Sequence, residues 1–355
     1  MTNRLLIVST SPFAGKSLLT IGIGHWFIQA GRKIAYLKPV GTSPVMRDGI
    51  LSDADALFVA EALGVEGNPE LVCPVVLDTE RRLALLEGEL IDAKAMILAA
   101  FSTLSAGADL CLLGGAARAG DGYSLGVPAD VVASLLDARV LLVDRGGEPE
   151  SIDPLLNLSD RFADRLVGII LNRVPEATAP ITKRLVVPFL TKKGLPVLGV
   201  IPQDDPLEFL TVAELADLLG AEVITPMDTT LLTVERYAVG AMRVESALHY
   251  FRRMRNKAVI TGGDRADLQL AALETSTRCL VLTGGLYPPS TIVARAMESG
   301  IPILVVKEDT LTTVERIEHC LGRLRLRGEG KAQRACDLVA ASCDLPRLAG
   351  LLNMK

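Results

Sequence analysis

The sequence predicts an α/β protein: a P-loop three-layer α/β/α fold on a mainly parallel sheet, followed by a second, smaller α/β domain. Three observations carry this expectation. Near-continuous apolar runs recur between helical patterns, as strands covered on both faces require. The first of those runs, residues 5–8, leads through small residues into Gly15-Lys16-Ser17 at the head of a helical pattern. Beyond Pro206 the pattern changes to shorter strand-and-helix units.

Composition sets the bounds. A chain of 355 residues with 49% hydrophobic content can bury two cores. A net charge of −5 gives no electrostatic footprint for nucleic acid, and no apolar run approaches the length of a membrane span. Six cysteines lie scattered without C-x-x-C spacing, several within apolar runs, and no basic-then-apolar signal stretch precedes Leu5. The expectation is a reduced, cytoplasmic protein. The three histidines are too far apart to suggest a zinc site or a triad.

Taken in order, the strand at 5–8 delivers the chain to a loop whose backbone N–H groups can converge on an anion, with the partial positive charge of the next helix behind them. Lys16 can reach the β- and γ-phosphates of a nucleotide while the Ser17 hydroxyl joins a Mg²⁺ shell. Thr10 stands where G-x-x-x-x-G-K-[ST] has its first glycine, so the turn is made without positive φ there or in another conformation. The tripeptide alone is a weak signal; the strand before it and the helix over 17–29, ended by Gly31, remove most chance matches.

A second strand over 34–37 is stopped by Pro39, which leaves Lys38 at a strand's carboxyl end, where open parallel sheets bind ligands. At the next helix start, Asp53 is placed to cap and Asp55 lies in the first turn. Capping is the ordinary role for both, and the alternative makes one of them a Mg²⁺ ligand. A helix over 92–104 precedes a strand over 109–113 that ends in Gly114-Gly115, and a helix over 127–136 follows. Strands over 139–143, 166–171 and 197–202 complete the first domain, the middle one ending in Asn172-Arg173-Val174.

Thr211 and Glu214 form a capping box, closed by Gly220. Beyond it, strands end in Gly262-Gly263-Asp264-Arg265 and in Gly284-Gly285, and a third over 301–306 precedes a helix over 310–321. The near-repeat of residues 230–236 and 310–316 reads as coincidence, because the second copy carries a capping box at Thr312 and Glu315 while the first precedes a β-like 237–240. The expected boundaries are 1–210, 211–325, and a charged, then apolar, tail over 326–355 that docks or stays loose.

These residues resemble known families. Gly15-Lys16-Ser17, Lys38-Pro39-Val40-Gly41, Asp53-Ala54-Asp55-Ala56-Leu57, Asn172-Arg173-Val174 and Gly199-Val200-Ile201-Pro202 resemble, in that order, the dethiobiotin synthetase-like group of P-loop proteins. Thr261-Gly262-Gly263-Asp264-Arg265 resembles the core of a DRTGG domain, and the tandem resembles the N-terminal part of long phosphate acetyltransferases. The resemblance implies ATP and Mg²⁺ as cofactors, with Lys16 and Lys38 on phosphate and substrate carbamate and Lys38 as the catalytic candidate. Asp55 with Ser17 would hold the metal, Asn172 would read adenine with Arg173 beside it, and Thr10 and Gly15 would line the phosphate loop. It also implies a glutamate where this chain has Gly114, so one metal-binding carboxylate is missing unless Asp121 or another replaces it. In the second domain, Gly262, Gly263, Asp264, Arg265, Gly284 and Gly285 form a candidate ligand turn, and the domain is expected to join copies into a homo-oligomer. The function this implies is a Mg-ATP-binding regulatory or nucleotide-sensing protein linked to central metabolism. No acetyltransferase activity of its own is expected, because the sequence ends shortly after the DRTGG-like part. The alternative is an ATP-dependent ligase acting on a small carboxylated or carbamoylated substrate.

Overall fold

The computed structural model describes residues 2–65, 67–146, 149–230, 232–324 and 330–354. It divides into two compact units: Met1–Asp204 with Ala332–Lys355, and Asp205–Lys331.

The first unit runs β1 (Asn3–Ser9), α1 (Lys16–Gln29), β2 (Ile34–Leu37), α2 (Ala54–Ala62), α3 (Ala93–Leu104), β3 (Leu110–Gly114), α4 (Ala129–Leu135), β4 (Arg139–Arg145), α5 (Ile152–Phe162), β5 (Leu166–Val174) and β6 (Val197–Pro202). The strands pair in parallel in the order β6-β5-β4-β1-β3-β2. Helices cover the sheet, which is why the strands read as apolar runs: Leu5, Ile7, Leu112, Leu141 and Ile169 are buried. Because β1 lies between β3 and β4, its loop opens beside the carboxyl ends of both.

A hairpin that the sequence reading passed over joins β2 to α2. Pro44–Arg47 pairs with Ile50–Asp53 around Asp48 and Gly49, with φ of 52° and 79°. Two consecutive left-handed residues make the tight turn that suits a twisted hairpin, and the Asp-Gly pair is its sequence signal. The hairpin carries the chain back so that Asp53 stands at the head of α2.

The second unit contains α6 (Val212–Leu219), β7 (Glu222–Val223), β8 (Arg236–Val239), α7 (Val244–Arg253), β9 (Lys257–Gly262), α8 (Ala266–Leu273), β10 (Thr277–Thr283), α9 (Ser290–Glu298), β11 (Ile303–Val305) and α10 (Thr310–Leu324). Its sheet order is β7-β11-β10-β9-β8, parallel except for β7 at the edge. The Thr211–Glu214 capping box is formed, and Gly220 ends α6 at φ 58°. The capping box expected at Thr312 and Glu315 is replaced by Asp309, whose carboxylate accepts from the Leu311 and Thr312 amides and from the Thr312 hydroxyl. The helix begins at Thr310, so Thr312 already lies within its first turn.

The expected end of the second domain at 325 falls outside the described residues. The C-terminal stretch is helical and belongs to the first unit from Ala332 onward, as α11 (Lys331–Ser342) and α12 (Leu345–Leu351). Val339 packs where α1 lacks a side chain: a Cβ on Gly22 would stand 2.6 Å from the Val339 Cβ. Gly199 of β6 makes a β-bridge with Cys343, and the Asp344 amide donates to the Leu198 carbonyl at 2.7 Å. Among the described residues, no helix is long and apolar enough to cross a membrane.

Candidate functional site

The loop between β1 and α1 is shaped by two left-handed residues, Phe13 at φ 59° and Gly15 at φ 101°, and Gly15 is the N-cap of α1. Thr10 makes its turn without positive φ; its amide donates to the Val143 carbonyl at 3.1 Å and its hydroxyl to the Asp144 carboxylate at 2.5 Å. The first four N–H groups of a helix have no acceptor within it, and here they open onto the loop. Lys16 Nζ reaches back over the loop to Ser9 Oγ at 2.7 Å and the Ala117 carbonyl at 3.3 Å. Burial, with the Lys38 ammonium adding to it, lowers the Lys16 amine to a pKa of about 8.

Beside the loop lies a chain of charged groups. Ser17 Oγ donates to Asp55 Oδ1 at 2.7 Å, and Lys38 Nζ stands 2.9 Å from both Asp55 Oδ2 and Asp53 Oδ1. Burial works to lower the pKa of Lys38, but the Asp55 and Asp53 carboxylates overcome that and hold it well above the usual lysine value. Asp55 is half-buried, and its partial desolvation opposes ionisation, yet Lys38 and the Ser17 hydrogen bond draw its pKa down to about 2. The two aspartates have different tasks. Asp53 accepts from the amides of Thr42, Ser43, Asp55 and Ala56 in addition to Lys38, so it fixes the backbone around α2. Asp55 is the one that meets the phosphate-loop serine.

Asn172, the candidate adenine reader, is buried and engaged elsewhere: its Nδ2 donates to the Ala14 carbonyl at 2.8 Å and its Oδ1 accepts from the Arg173 amide at 3.0 Å. A Cβ on Gly15 would fall 1.9 Å from that amide nitrogen, so the glycine and the asparagine interlock. Arg173, at φ 58°, donates from Nη1 to the Phe13 carbonyl at 3.2 Å. In this structure both residues brace the loop. The sequence reading also missed Asp144, the buried partner of Thr10. Its signal was legible: an apolar strand ending in a carboxylate.

Among the described residues, no group of three or more His, Cys, Asp or Glu side chains could hold a metal by itself. Ser17 and Asp55 suit the other arrangement, in which Mg²⁺ takes one hydroxyl and one carboxylate from the protein and its remaining ligands from nucleotide phosphates and water. Gly114 ends β3 without a carboxylate.

In the second unit, the Gly-Gly turns are packed against each other. A Cβ on Gly263 would stand 2.1 Å from the Leu286 carbonyl oxygen. The amides of Gly263, Gly284 and Gly285 donate to the carbonyls of Thr283, Glu308 and Val306, and Gln269 Nε2 donates to the carbonyls of both Gly262 and Gly263. Arg265 forks onto Asp267 at 3.0 and 3.1 Å, while Asp264 follows Gly263 at the head of α8. Gly263 is thus required by close packing on the other turn, Gly284 and Gly285 sit at left-handed φ of 83° and 66°, and the amides of all three already donate to carbonyls of this unit.

A parallel sheet, a strand-loop-helix with its left-handed glycine, and a lysine and serine at the helix head define a P-loop nucleotide-binding protein of the α/β class. Residues 3–211 match the AAA domain family, so the chain belongs to it, and residues 214–320 match the DRTGG domain. The chain is 27% identical over 335 residues to a phosphate acetyltransferase of Synechocystis, covering 90% of this chain and 47% of that protein. It is 26% identical to a phosphate acetyltransferase of Nitratidesulfovibrio vulgaris, covering 100% of this chain and 52% of that one. The chain thus spans about half the length of these curated relatives. Among solved structures, the MinD cell division protein of Aquifex aeolicus is similar with a TM-score of 0.37 and 18% identity, covering 58% of this chain and 84% of that one.

Proposed function

We propose that the protein binds Mg-ATP at the loop after β1 and acts as a nucleotide-sensing regulator linked to the metabolism served by its phosphate acetyltransferase relatives. The observation that carries this is the unbroken chain Ser17–Asp55–Lys38–Asp53 beside Lys16 at the head of α1. Lys16 would meet the terminal phosphates, Ser17 and Asp55 would hold the metal, and Lys38 would balance charge at the strand end. The bound Mg²⁺ would supply charge neutralisation across the β- and γ-phosphates. With Gly114 in place of a carboxylate, binding rests on amides and lysines more than on a firmly held metal, which favours sensing over turnover. Calorimetry with Mg-ATP tests the site: Lys16→Ala should weaken binding at least tenfold, about the contribution of one charge-assisted contact. Equal affinities for wild type and variant would refute it. Phosphate release near 1 s⁻¹ with a small acid, the low end of ordinary enzyme rates, would favour the ligase instead.

The second unit is proposed to join copies of the chain. Met242, Leu286 and Tyr287 support this, being exposed apolar side chains near the carboxyl end of its sheet. A monomeric mass at micromolar concentration, with and without nucleotide, would count against it. A reducing, cytoplasmic setting completes the proposal, and the five described cysteines that are free and buried suit it.

A further inference from the structure

Gly114 is explained by a neighbour. A Cβ built on it would stand 2.6 Å from the Tyr36 hydroxyl oxygen and 3.3 Å from the ring carbon that carries it. Tyr36 lies on β2, next to β3 in the sheet, and two residues before Lys38, so the two side chains leave the same face of the chain. That face leads to the Ser17–Asp55–Lys38 cluster. The direction in which a side chain at 114 would grow toward the phosphate site is thus already filled, by a phenol from the adjacent strand.

We infer that Tyr36 is a further ligand-contacting residue of this site: its hydroxyl takes the place of a carboxylate at the end of β3 and donates a hydrogen bond to the terminal phosphate of a bound nucleoside triphosphate. This rests on the nucleotide-binding reading above and adds to it the element that senses the third phosphate. Tyr36 is 1% exposed, so packing holds its ring and fixes where its hydroxyl stands. Burial first, and the Asp55 carboxylate next, push its phenol pKa well above the ordinary value, so the group stays protonated and donates. Replacing an anion by a neutral donor also removes repulsion from phosphate oxygens. The exchange favours reading a terminal phosphate over gripping a metal for transfer.

The test compares ATP and ADP affinities by calorimetry in the whole 355-residue chain, with Mg²⁺, for wild type, Tyr36→Phe and Gly114→Ala. Tyr36→Phe keeps the ring and removes the donor, so it should lose about tenfold in ATP affinity with ADP affinity nearly unchanged, as expected for one hydrogen bond to a charged group. Gly114→Ala, which displaces the hydroxyl, should lose the same preference, and the double variant should lose no more than either single one. A structural role would lower the thermal midpoint without moving the ATP-to-ADP ratio. An unchanged ratio in Tyr36→Phe, with wild type binding normally, overturns the assignment of Tyr36 alone. A wild type that binds neither nucleotide overturns both it and the nucleotide reading.

Discussion

Lys16 is a lysine whose charge is conditional. Burial and the Lys38 ammonium hold its pKa near 8, where the unfolded chain would have 10.5. Between those values the unfolded chain binds more protons than the folded one, so this group makes the ligand-free protein more stable as pH rises through that window. Its effect on binding has the opposite sign, because the amine that meets phosphate is charged below pH 8 and increasingly neutral above it. ATP affinity measured from pH 7 to 9 should fall for wild type and stay flat for Lys16→Arg, whose guanidinium keeps its charge. Asn172 makes a second residue-scale prediction. Because its amide is tied to Ala14 and Arg173, Asn172→Ala should loosen the loop and weaken ATP and GTP by similar factors. A selective loss of ATP over GTP would instead assign it to the adenine ring.

At the scale of elements, α2 depends on what precedes it. The Asp48-Gly49 hairpin returns the chain, and Asp53 then accepts from four amides and from Lys38. Removing that carboxylate would leave those donors unmatched and a buried ammonium short of one partner, as when one member of a buried ion pair is deleted. Asp53→Ala should therefore cost about 3–5 kcal/mol in urea denaturation. Asp309→Ala, which removes an exposed cap from α10, should cost only about 1 kcal/mol. The sequence reading placed most strands and helices because their apolar runs and caps are local signals. The residue pattern alone left open which of Asp53 and Asp55 meets Ser17, and only the family resemblance pointed to Asp55, since the choice depends on which of them faces Ser17 and on Lys38 arriving from another strand.

At the scale of the molecule, the first unit is closed by the far end of the chain. Val339 fills the space over Gly22, and Cys343 and Asp344 bind the β6 edge. Deleting residues 332–355 should lower the melting midpoint of the first unit by several degrees, since a kilocalorie corresponds to roughly 2–4 °C in a domain of this size. The second unit's transition should stay in place, and differential scanning calorimetry with and without Mg-ATP would identify which transition is which. A second transition that moved by the same amount would show the two units to be thermally coupled.

What the sequence determined by itself were features written in neighbouring residues: the apolar runs of a covered parallel sheet, Gly15-Lys16-Ser17 at a helix head, the Thr211–Glu214 cap, and Lys38 at a strand end. Each follows from periodicity, capping chemistry or backbone freedom within a few residues. The tertiary structure decided the rest. It made Asn172 a brace for the loop, joined Thr10 to Asp144, interlocked the two Gly-Gly turns, and set Tyr36 against Gly114. These are meetings of residues from different strands and turns. Whether a glycine is a ligand cradle or only makes room for a neighbour depends on which atoms stand within van der Waals distance of its missing Cβ, and the fold alone brings those atoms there.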